Sequence, residues 1–257
     1  MFSLEHQVAV ITGAASGIGA ATARRFAKAG ADVVLAVYSP DGHDIDQVRA
    51  DVEKAGRSAV IVETNVRNSE SVDALVQTAL SRFGRLDIAV ANAAIARRHP
   101  SMSLTDQQWQ ETLDTDLHGV WRLFRAALPP MVERGSGRLL VTASTAGPFE
   151  AWEEHIHYSA AKAGIIGMVR SLAAEVGPRG ITVNAIAPGI IETPQTLDNV
   201  NSLGASGIEQ TGRSQPIRRV GKPEDIAAGF HFLASKDASF VTGHCLLIDG
   251  GRMLIRG

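Results

Sequence analysis

The most constraining feature of the sequence is the run Val8-Ala9-Val10-Ile11, which is followed by Gly13, Gly17 and Gly19. An apolar run without charges is typical of a strand that is buried on both faces, as in a parallel sheet. Apolar and small residues then recur three and four positions apart up to Ala29, which predicts a helix that packs back onto this strand. The glycines leave the first N–H groups of that helix accessible to a pyrophosphate. On this motif alone, a tight turn without a ligand remains the alternative.

The rest of the chain repeats this alternation of strand and helix. Apolar runs of strand length lie at 33–37, 59–62, 88–91, 139–141, 181–186 and 246–248, and amphipathic segments of helix length at 44–55, 69–83, 105–133, 158–177 and 223–234. The pattern predicts a Rossmann-like, doubly wound parallel α/β sheet of about seven strands, with helices on both faces. We find no second core and no linker, so we expect one domain over residues 1–257. The polar segment 194–215 predicts a loop, and hence a substrate loop or lid near residues 190–215.

Composition and charge exclude several functions. The formal net charge is −2 and basic residues form no long run, which argues against a nucleic-acid partner. No stretch of 18 apolar residues occurs, so we expect no membrane span. Cys245 is the sole cysteine, so an intrachain disulfide cannot form. Together these observations favour a cytoplasmic protein.

Two side chains four residues apart are candidates for proton transfer. Tyr158 and Lys162 lie on one face of the predicted helix 158–177. A free phenol has a pKa of about 10, and a nearby ammonium favours the phenolate and so lowers that pKa. Ser144 follows the fifth predicted strand, where its hydroxyl can reach a substrate oxygen, and Thr145 is a lesser candidate for that role. Taken singly, each could instead be an ordinary surface or turn residue.

Several motifs lie in the same order as in a known protein family. The turn Thr12-Gly13-x-x-x-Gly17-x-Gly19 comes first, and Ser144 and Tyr158-x-x-x-Lys162 follow it. The segments 188–193 and Asp249-Gly250-Gly251 complete the series. From about residue 5 to residue 251, the chain therefore resembles the short-chain dehydrogenase/reductase family.

The resemblance implies a role for each candidate side chain. Tyr158 would be the general acid/base for the carbonyl or alcohol oxygen, and Ser144 would orient that oxygen. Lys162 would lower the pKa of Tyr158 and hold the nicotinamide ribose. The backbone around Ile191 and the hydroxyl of Thr193 would fix the nicotinamide carboxamide. The resemblance assigns to the cofactor, in addition, Gly13, Ser16, Gly17, Ile18, Gly19, Tyr38, Asn65, Val66, Asn92, Ala93 and Pro188.

The identity of the cofactor depends on the end of the second strand. An acid there would bind the ribose 2′-OH of NAD, and a nearby Arg would bind the 2′-phosphate of NADP. This sequence has Val37 in place of the acid and Ser16 where NADP-using relatives often carry Arg. Without the carboxylate a 2′-phosphate is not repelled, so NADP is slightly favoured over NAD.

Asn65-Val66 and Asn92-Ala93-Ala94 vary the family's pattern, and one further departure affects a catalytic role. Relatives usually carry Asn in the middle of the fourth helix, where it binds a water that relays protons to the lysine, whereas this sequence has Asp116. A carboxylate can hold the same water. As an anion, however, it would pair with Lys162 or raise the pKa of Tyr158, unless it is itself protonated. We therefore count Asp116 among the catalytic candidates and expect activity with a shifted pH optimum.

A stretch rich in acids and histidines precedes Tyr158. It predicts a solvated loop near the mouth of the substrate pocket, and a metal site is the less favoured alternative because no third ligand has the usual spacing. We assign no metal. The residues concerned are Glu150, Glu153, Glu154, His155 and His157.

Two functions of different classes follow from these observations. The first is an NAD(P)-dependent alcohol dehydrogenase or ketoreductase that acts on a small-molecule substrate, such as a 3-oxoacyl, sugar or polyol compound. The second is a cofactor-binding regulatory or redox-sensing protein with the same fold and impaired turnover. Ser144, Tyr158 and Lys162 favour the enzyme. The resemblance also implies a homodimer or homotetramer that forms through the fourth and fifth predicted helices.

Overall fold

The computed structural model describes residues 2–38 and 42–254. Seven strands alternate with helices along the chain. The strands are β1 (Val8–Thr12), β2 (Asp32–Val37), β3 (Ala59–Glu63), β4 (Ile88–Ala91), β5 (Gly137–Thr142), β6 (Ile181–Pro188) and β7 (Cys245–Ile248). The helices are α1 (Gly17–Lys28), α2 (Ile45–Lys54), α3 (Ser69–Phe83), α4 (Asp106–Leu113), α5 (Gly119–Arg134), α6 (Ile156–Val176), α7 (Pro194–Leu197), α8 (Gly204–Ser214) and α9 (Pro223–Ala234).

The strands form a single parallel sheet in the order β3-β2-β1-β4-β5-β6-β7. Val10 of β1 pairs with Val34 of β2 on one side and with Ala89 of β4 on the other. The chain therefore reverses its direction of strand addition between β1 and β4. A crevice opens at such a point, beyond the carboxyl ends of the strands. The predicted doubly wound sheet of about seven strands is confirmed.

Two hydrophobic cores cover the two faces of the sheet. Val8 and Val10 belong to the core that includes α3, α5 and α6, whereas Ala9 and Ile11 belong to the core that includes α1, α2 and α9. Successive side chains of a strand point to opposite faces, so an uninterrupted apolar run supplies both cores. This double burial fixes the carboxyl end of β1, and with it the turn that follows. Within the described residues, no helix is both long and apolar enough to cross a membrane.

Two of the predicted segments differ from the structure. The segment 194–215 is not a loop, because it contains α7 and the 11-residue helix α8. Gly204, Gly207 and Gly212 weaken helix propensity there, and Ile208 is its only buried apolar side chain, so the helical pattern is faint. The predicted helix 105–133 is interrupted by a π-helical turn at Asp114–His118. Such turns are rare and are frequent at functional sites.

Candidate active site

A cavity of about 610 Å³ lies beyond the carboxyl ends of the strands. The residues that follow β1, β4, β5 and β6 form its walls, as expected for the crevice of a doubly wound sheet. Every residue assigned above to the cofactor or to catalysis lines this cavity, except Gly19 and Asp116. The fold therefore brings together side chains that are up to 180 positions apart, from Gly13 to Thr193.

The glycine turn forms one end of the cavity. Gly13 and Gly17 have positive φ angles of 63° and 50°, a conformation that L side chains rarely adopt. Gly19 lies behind them, where a Cβ atom would be 2.1 Å from the carbonyl oxygen of Gly13. The side chain of Ser16 does not cap α1, and the first turn of α1 carries no acid. The first N–H groups of α1 are thus available to an anion, which fits a pyrophosphate.

Asn92 holds this turn in place. Its side-chain Nδ2 donates to the carbonyl oxygens of Thr12, at 3.1 Å, and Gly13, at 3.3 Å. Its Oδ1 accepts from the hydroxyl of Thr142 at 2.9 Å. The hydroxyl of Thr12 in turn accepts from the backbone N–H groups of Asn92 and Ala93. Asn92 therefore connects the ends of β1, β4 and β5, and the protein already uses both polar atoms of its side chain.

Tyr158, Lys162 and Ser144 meet at the centre of the cavity. The ammonium of Lys162 is 5.3 Å from the centre of the Tyr158 ring and donates to the carbonyl oxygen of Thr142 at 3.1 Å. Ser144 and Gln195 line the cavity with Tyr158 and lie near enough to its hydroxyl to favour the phenolate. Thr145 is engaged elsewhere, because its hydroxyl donates to Glu150 at 2.6 Å. Ser144 is therefore the hydroxyl beside the phenol, as predicted.

Burial controls the acidity of Tyr158. The pKa of the phenol is raised above its ordinary value, chiefly because burial penalises the phenolate. Lys162 acts in the opposite direction, as the sequence predicts, and the hydrogen bonds from Ser144 and Gln195 also lower the pKa. Together these groups lower the pKa of Tyr158 by less than burial raises it. At neutral pH the phenol thus keeps its proton and is able to donate it.

Asp116 lies in the π-helical turn, directly beneath this group. It is fully buried, and its Oδ1 accepts from the backbone N–H of Ile95 at 2.9 Å. Its Oδ2 lies 3.5 Å from the ammonium of Lys162. Burial raises the pKa of Asp116 to about 6, although the charge of Lys162 opposes this shift. The carboxylate also raises the pKa of Tyr158. From the sequence, pairing with Lys162 and a raised Tyr158 pKa are alternative effects of Asp116, and the structure shows both.

This pair makes the pH dependence of catalysis testable. Below about pH 6 Asp116 is neutral, and above that pH its negative charge raises the pKa of Tyr158. Alcohol oxidation needs the phenolate, so in Asp116→Asn we expect the rising limb of the rate profile to move toward lower pH. We also expect the inflection near pH 6 to disappear. Asp114→Asn is a matched control, because Asp114 pairs with His118 and Arg122 instead. Superimposable profiles of native protein and Asp116→Asn would refute this role.

The residues expected to bind the adenosine part of the cofactor line the cavity next to β2 and β3. Val37 is the last residue of β2 and Tyr38 follows it, and Asn65 and Val66 lie just after β3. The Oδ1 atom of Asn65 accepts from the backbone N–H of Arg67 at 3.0 Å, which fixes the orientation of the amide. The second lone pair of that oxygen can still accept a hydrogen bond from an adenine amino group.

Pro188, Ile191 and Thr193 form the wall nearest to Tyr158 on the β6 side. Thr193 is the N-cap of α7, and its hydroxyl accepts from the backbone N–H of Thr196 at 3.3 Å. The Thr196 hydroxyl donates to the carbonyl oxygen of Ile191 at 2.6 Å. The threonine therefore caps a helix and faces the cavity at the same time.

The stretch before Tyr158 is a solvated loop only in part, because Glu153 is exposed whereas the two histidines are buried. His155 is 2% exposed, stacks on Trp152 at 3.7 Å, and contacts the carbonyl oxygens of Glu153 and Asn201. His157 is also buried. His155 thus packs on Trp152 and His157 lies against the ring of His99, and periodicity reveals neither contact. Among the residues that the structure describes, no three potential ligands lie close enough to hold a metal ion.

Sequence reasoning missed several residues of the cavity wall. Thr142, Arg97 and Gln195 line the cavity, together with His43, Arg67 and Glu111. Thr142 could have been found from its place at the end of a predicted strand. Gln195 and Arg97 belong to segments without clear periodicity, so nothing in the sequence indicates where their side chains lie.

Comparisons with known proteins agree with this geometry. A family described as enoyl-(acyl carrier protein) reductase matches residues 13–252. The 3-oxoacyl-(acyl-carrier-protein) reductase of Synechocystis sp. is 38% identical over 99% of this chain and 100% of its own. The cis-4-hydroxycyclohexanecarboxylate dehydrogenase of Sinomonas cyclohexanicum is 42% identical over 95% of this chain and 96% of its own.

Solved structures extend the likeness to three dimensions. The crystal structure of levodione reductase aligns with a TM-score of 0.91 at 34% identity and covers 98% of this chain and 99% of its own. A putative short-chain alcohol dehydrogenase from Sinorhizobium meliloti aligns with a TM-score of 0.92 at 32% identity and covers 99% of both chains.

Proposed function

The chain belongs to the short-chain dehydrogenase/reductase family of NAD(P)-dependent oxidoreductases, and on that premise we propose which reaction it catalyses. It transfers a hydride between a nicotinamide cofactor and the carbon of a small secondary alcohol or ketone. Its relatives are named for the oxidation of a hydroxyl or the reduction of an oxo group. The observation that carries the proposal is the contact of Tyr158, Lys162 and Ser144 in one cavity with the glycine turn.

The chain's own residues account for binding of the cofactor. The open N-terminus of α1 and the glycine turn hold the pyrophosphate. Asn65 and Val66 receive the adenine, and Lys162 the nicotinamide ribose. Ile191 and Thr193 receive the carboxamide. When bound, the nicotinamide supplies or accepts the hydride.

Proton transfer is the task of Tyr158. In ketone reduction its hydroxyl donates a proton to the substrate oxygen, and in alcohol oxidation the phenolate accepts that proton. Ser144 orients the oxygen through a hydrogen bond. Lys162 stabilises the phenolate as it forms, and Asp116 keeps the buried ammonium paired. The raised pKa of Tyr158 favours its acid form at neutral pH, and thus the donation step.

We propose NADP rather than NAD as the preferred cofactor. Val37 stands at the tip of β2 where a carboxylate would repel a 2′-phosphate, and Tyr38, His43 and Arg67 line the same part of the cavity. Arg67 is paired with Glu111 at 3.1 Å, so its charge is partly neutralised, and the expected preference is small.

Turnover assays with both cofactors test the proposal. A panel of ketones and secondary alcohols is incubated with NADPH, NADH and their oxidised forms, and cofactor binding is titrated in parallel. We expect NADPH to bind more tightly than NADH and at least one ketone to be reduced. Cofactor binding without turnover of any compound would instead favour the regulatory or redox-sensing function, which the buried Asp116–Lys162 pair makes physically reasonable.

We propose a homodimer or homotetramer that forms through the exposed faces of α5 and α6. Trp121 of α5 is 42% exposed, and α6 presents small residues to solvent at Ala163, Gly164 and Gly167. A Cβ atom at Gly167 would meet no neighbour within 4 Å, so the backbone there is open to close approach by another helix. The cytoplasmic location stays a prediction from the sequence.

A further inference from the structure

The wall of the cavity includes one cationic side chain, Arg97, that the proposed mechanism does not use. Arg97 follows β4 and lines the cavity next to Ala96, which packs against Tyr158 and Trp152. No carboxylate among the described residues lies within 4 Å of its guanidinium, so it takes part in none of the ion pairs there. The other basic groups of the wall are different: Lys162 is paired with Asp116, and Arg67 with Glu111.

The backbone that carries Arg97 is anchored on its far side. The side chain of the next residue, Arg98, forms an ion pair with Glu154. The backbone N–H of Arg98 donates to the Oδ1 atom of Asn201 at 3.2 Å, and that of His99 donates to the carbonyl oxygen of Glu154 at 2.8 Å. The side chain of Arg98 is thus held by an ion pair, whereas the adjacent Arg97 is exposed at the cavity wall and forms no ion pair among the described residues.

Asp198, one of the two acids that line the cavity, already has hydrogen-bond partners. The Oδ1 atom of Asp198 accepts from the backbone N–H groups of Val200 and Asn201, and Oδ2 accepts from the Asn201 side chain at 2.8 Å. These hydrogen bonds lower the pKa of Asp198, and the charge of Arg97 lowers it further. Arg97 and Asp198 therefore attract each other electrostatically but do not form an ion pair. Asp198 folds the segment after α7 and leaves Arg97 without a direct counter-ion.

We propose that Arg97 binds an anionic group of the substrate, a carboxylate or a phosphate at a distance from the reacting carbon, and so selects oxo acids and acidic oxo esters over neutral ketones. The inference rests on the oxidoreductase function proposed above. A guanidinium presents a planar fork of donors that matches both anions and stays charged at every relevant pH. Arg97 acts on specificity, and the hydride and proton steps remain with the groups around Tyr158.

Paired substrates isolate this effect. A panel of ring and open-chain oxo acids is compared with the corresponding methyl esters, and 3-oxoacyl thioesters of coenzyme A are compared with those of N-acetylcysteamine, which carry no phosphate. We expect the native protein to prefer the charged member of one series in kcat/KM by about tenfold or more, mainly through KM. A preference in the oxo acid series identifies the anion as a carboxylate, and a preference in the thioester series identifies it as a phosphate. Compounds that are not turned over are assayed as inhibitors of a turned-over ketone.

Variants assign the preference to the residue. Arg97→Met should abolish it while leaving kcat on neutral ketones within about twofold, and Arg97→Lys should restore part of it. Arg98→Met is the matched control and should keep the preference. The inference is overturned if charged members neither react nor inhibit better than neutral ones, or if Arg97→Met retains the preference. Reduction of neutral ketones distinguishes this failure from failure of the proposed function, under which no ketone would be reduced.

Discussion

Replacement of Tyr158 by Phe should lower kcat for ketone reduction about a thousandfold, because it removes the hydroxyl that donates the proton. Tyr158 is 6% exposed, and Phe fills nearly the same space, so the cavity should keep its shape. Affinity for the cofactor should change little, since the glycine turn and the α1 N-terminus remain intact. Steady-state rates and a cofactor titration on the same preparation check both expectations.

The chain contains one other tyrosine, which provides a control for this substitution. Tyr38 lines the same cavity directly after β2 and is 38% exposed. Tyr38→Phe removes the same atom far from the reacting carbon, so kcat should stay within about twofold of the native value. If Tyr158→Phe retained the native rate, the phenol would not be the acid, and the assignment of the site would fail.

Gly19→Ala should weaken cofactor binding roughly 100-fold and destabilise the fold. The new Cβ atom would lie 2.1 Å from the carbonyl oxygen of Gly13 and 2.7 Å from Nδ2 of Asn92. Either the turn or Asn92 must move, which would disturb N–H groups aimed at the pyrophosphate. Hydrogen bonds to a charged group contribute about 1.5–3 kcal/mol each, so loss of two accounts for this factor. Overpacking costs about 1–3 kcal/mol, equivalent to a fall in Tm of about 5 °C.

Thermal unfolding and cofactor titration measure the two effects of Gly19→Ala. Gly177→Ala is the control, because Gly177 has helical dihedral angles and a Cβ atom there would meet nothing within 4 Å. It should leave cofactor affinity unchanged, whereas Tm should fall slightly, because Pro178 disfavours helical dihedral angles for a non-glycine residue before it. Native affinity in Gly19→Ala would show that this turn does not hold the cofactor.

The sequence predicts the sheet and the place of the site well, for a physical reason. Strands such as β1 are buried on both faces, so their apolar runs stand out, and the residues that follow them must lie at one edge of the sheet. Gly13, Ser144 and Asn65 could be placed in one cavity on that ground alone. Tyr158 and Lys162 share a face of one helix, so their proximity also follows from local spacing.

Contacts between segments that are distant in the sequence are harder to predict. That Asn92 bridges Thr12, Gly13 and Thr142 depends on the order of three strands, which no local pattern encodes. The pKa of Tyr158 is raised overall because of burial, whereas the nearby ammonium of Lys162 alone predicts a lowered pKa. α8 escaped prediction because its glycines conceal its periodicity.

The central claim is that this cavity transfers a hydride from a nicotinamide to a substrate carbon beside Tyr158. Reduction of a ketone from the panel with NADPH deuterated at both C4 positions, followed by mass spectrometry of the product, tests it most directly. We expect one deuterium on the new carbinol carbon, and loss of product formation in Tyr158→Phe. An alcohol product without deuterium, or equal labelling by Tyr158→Phe at the native rate, would contradict the claim.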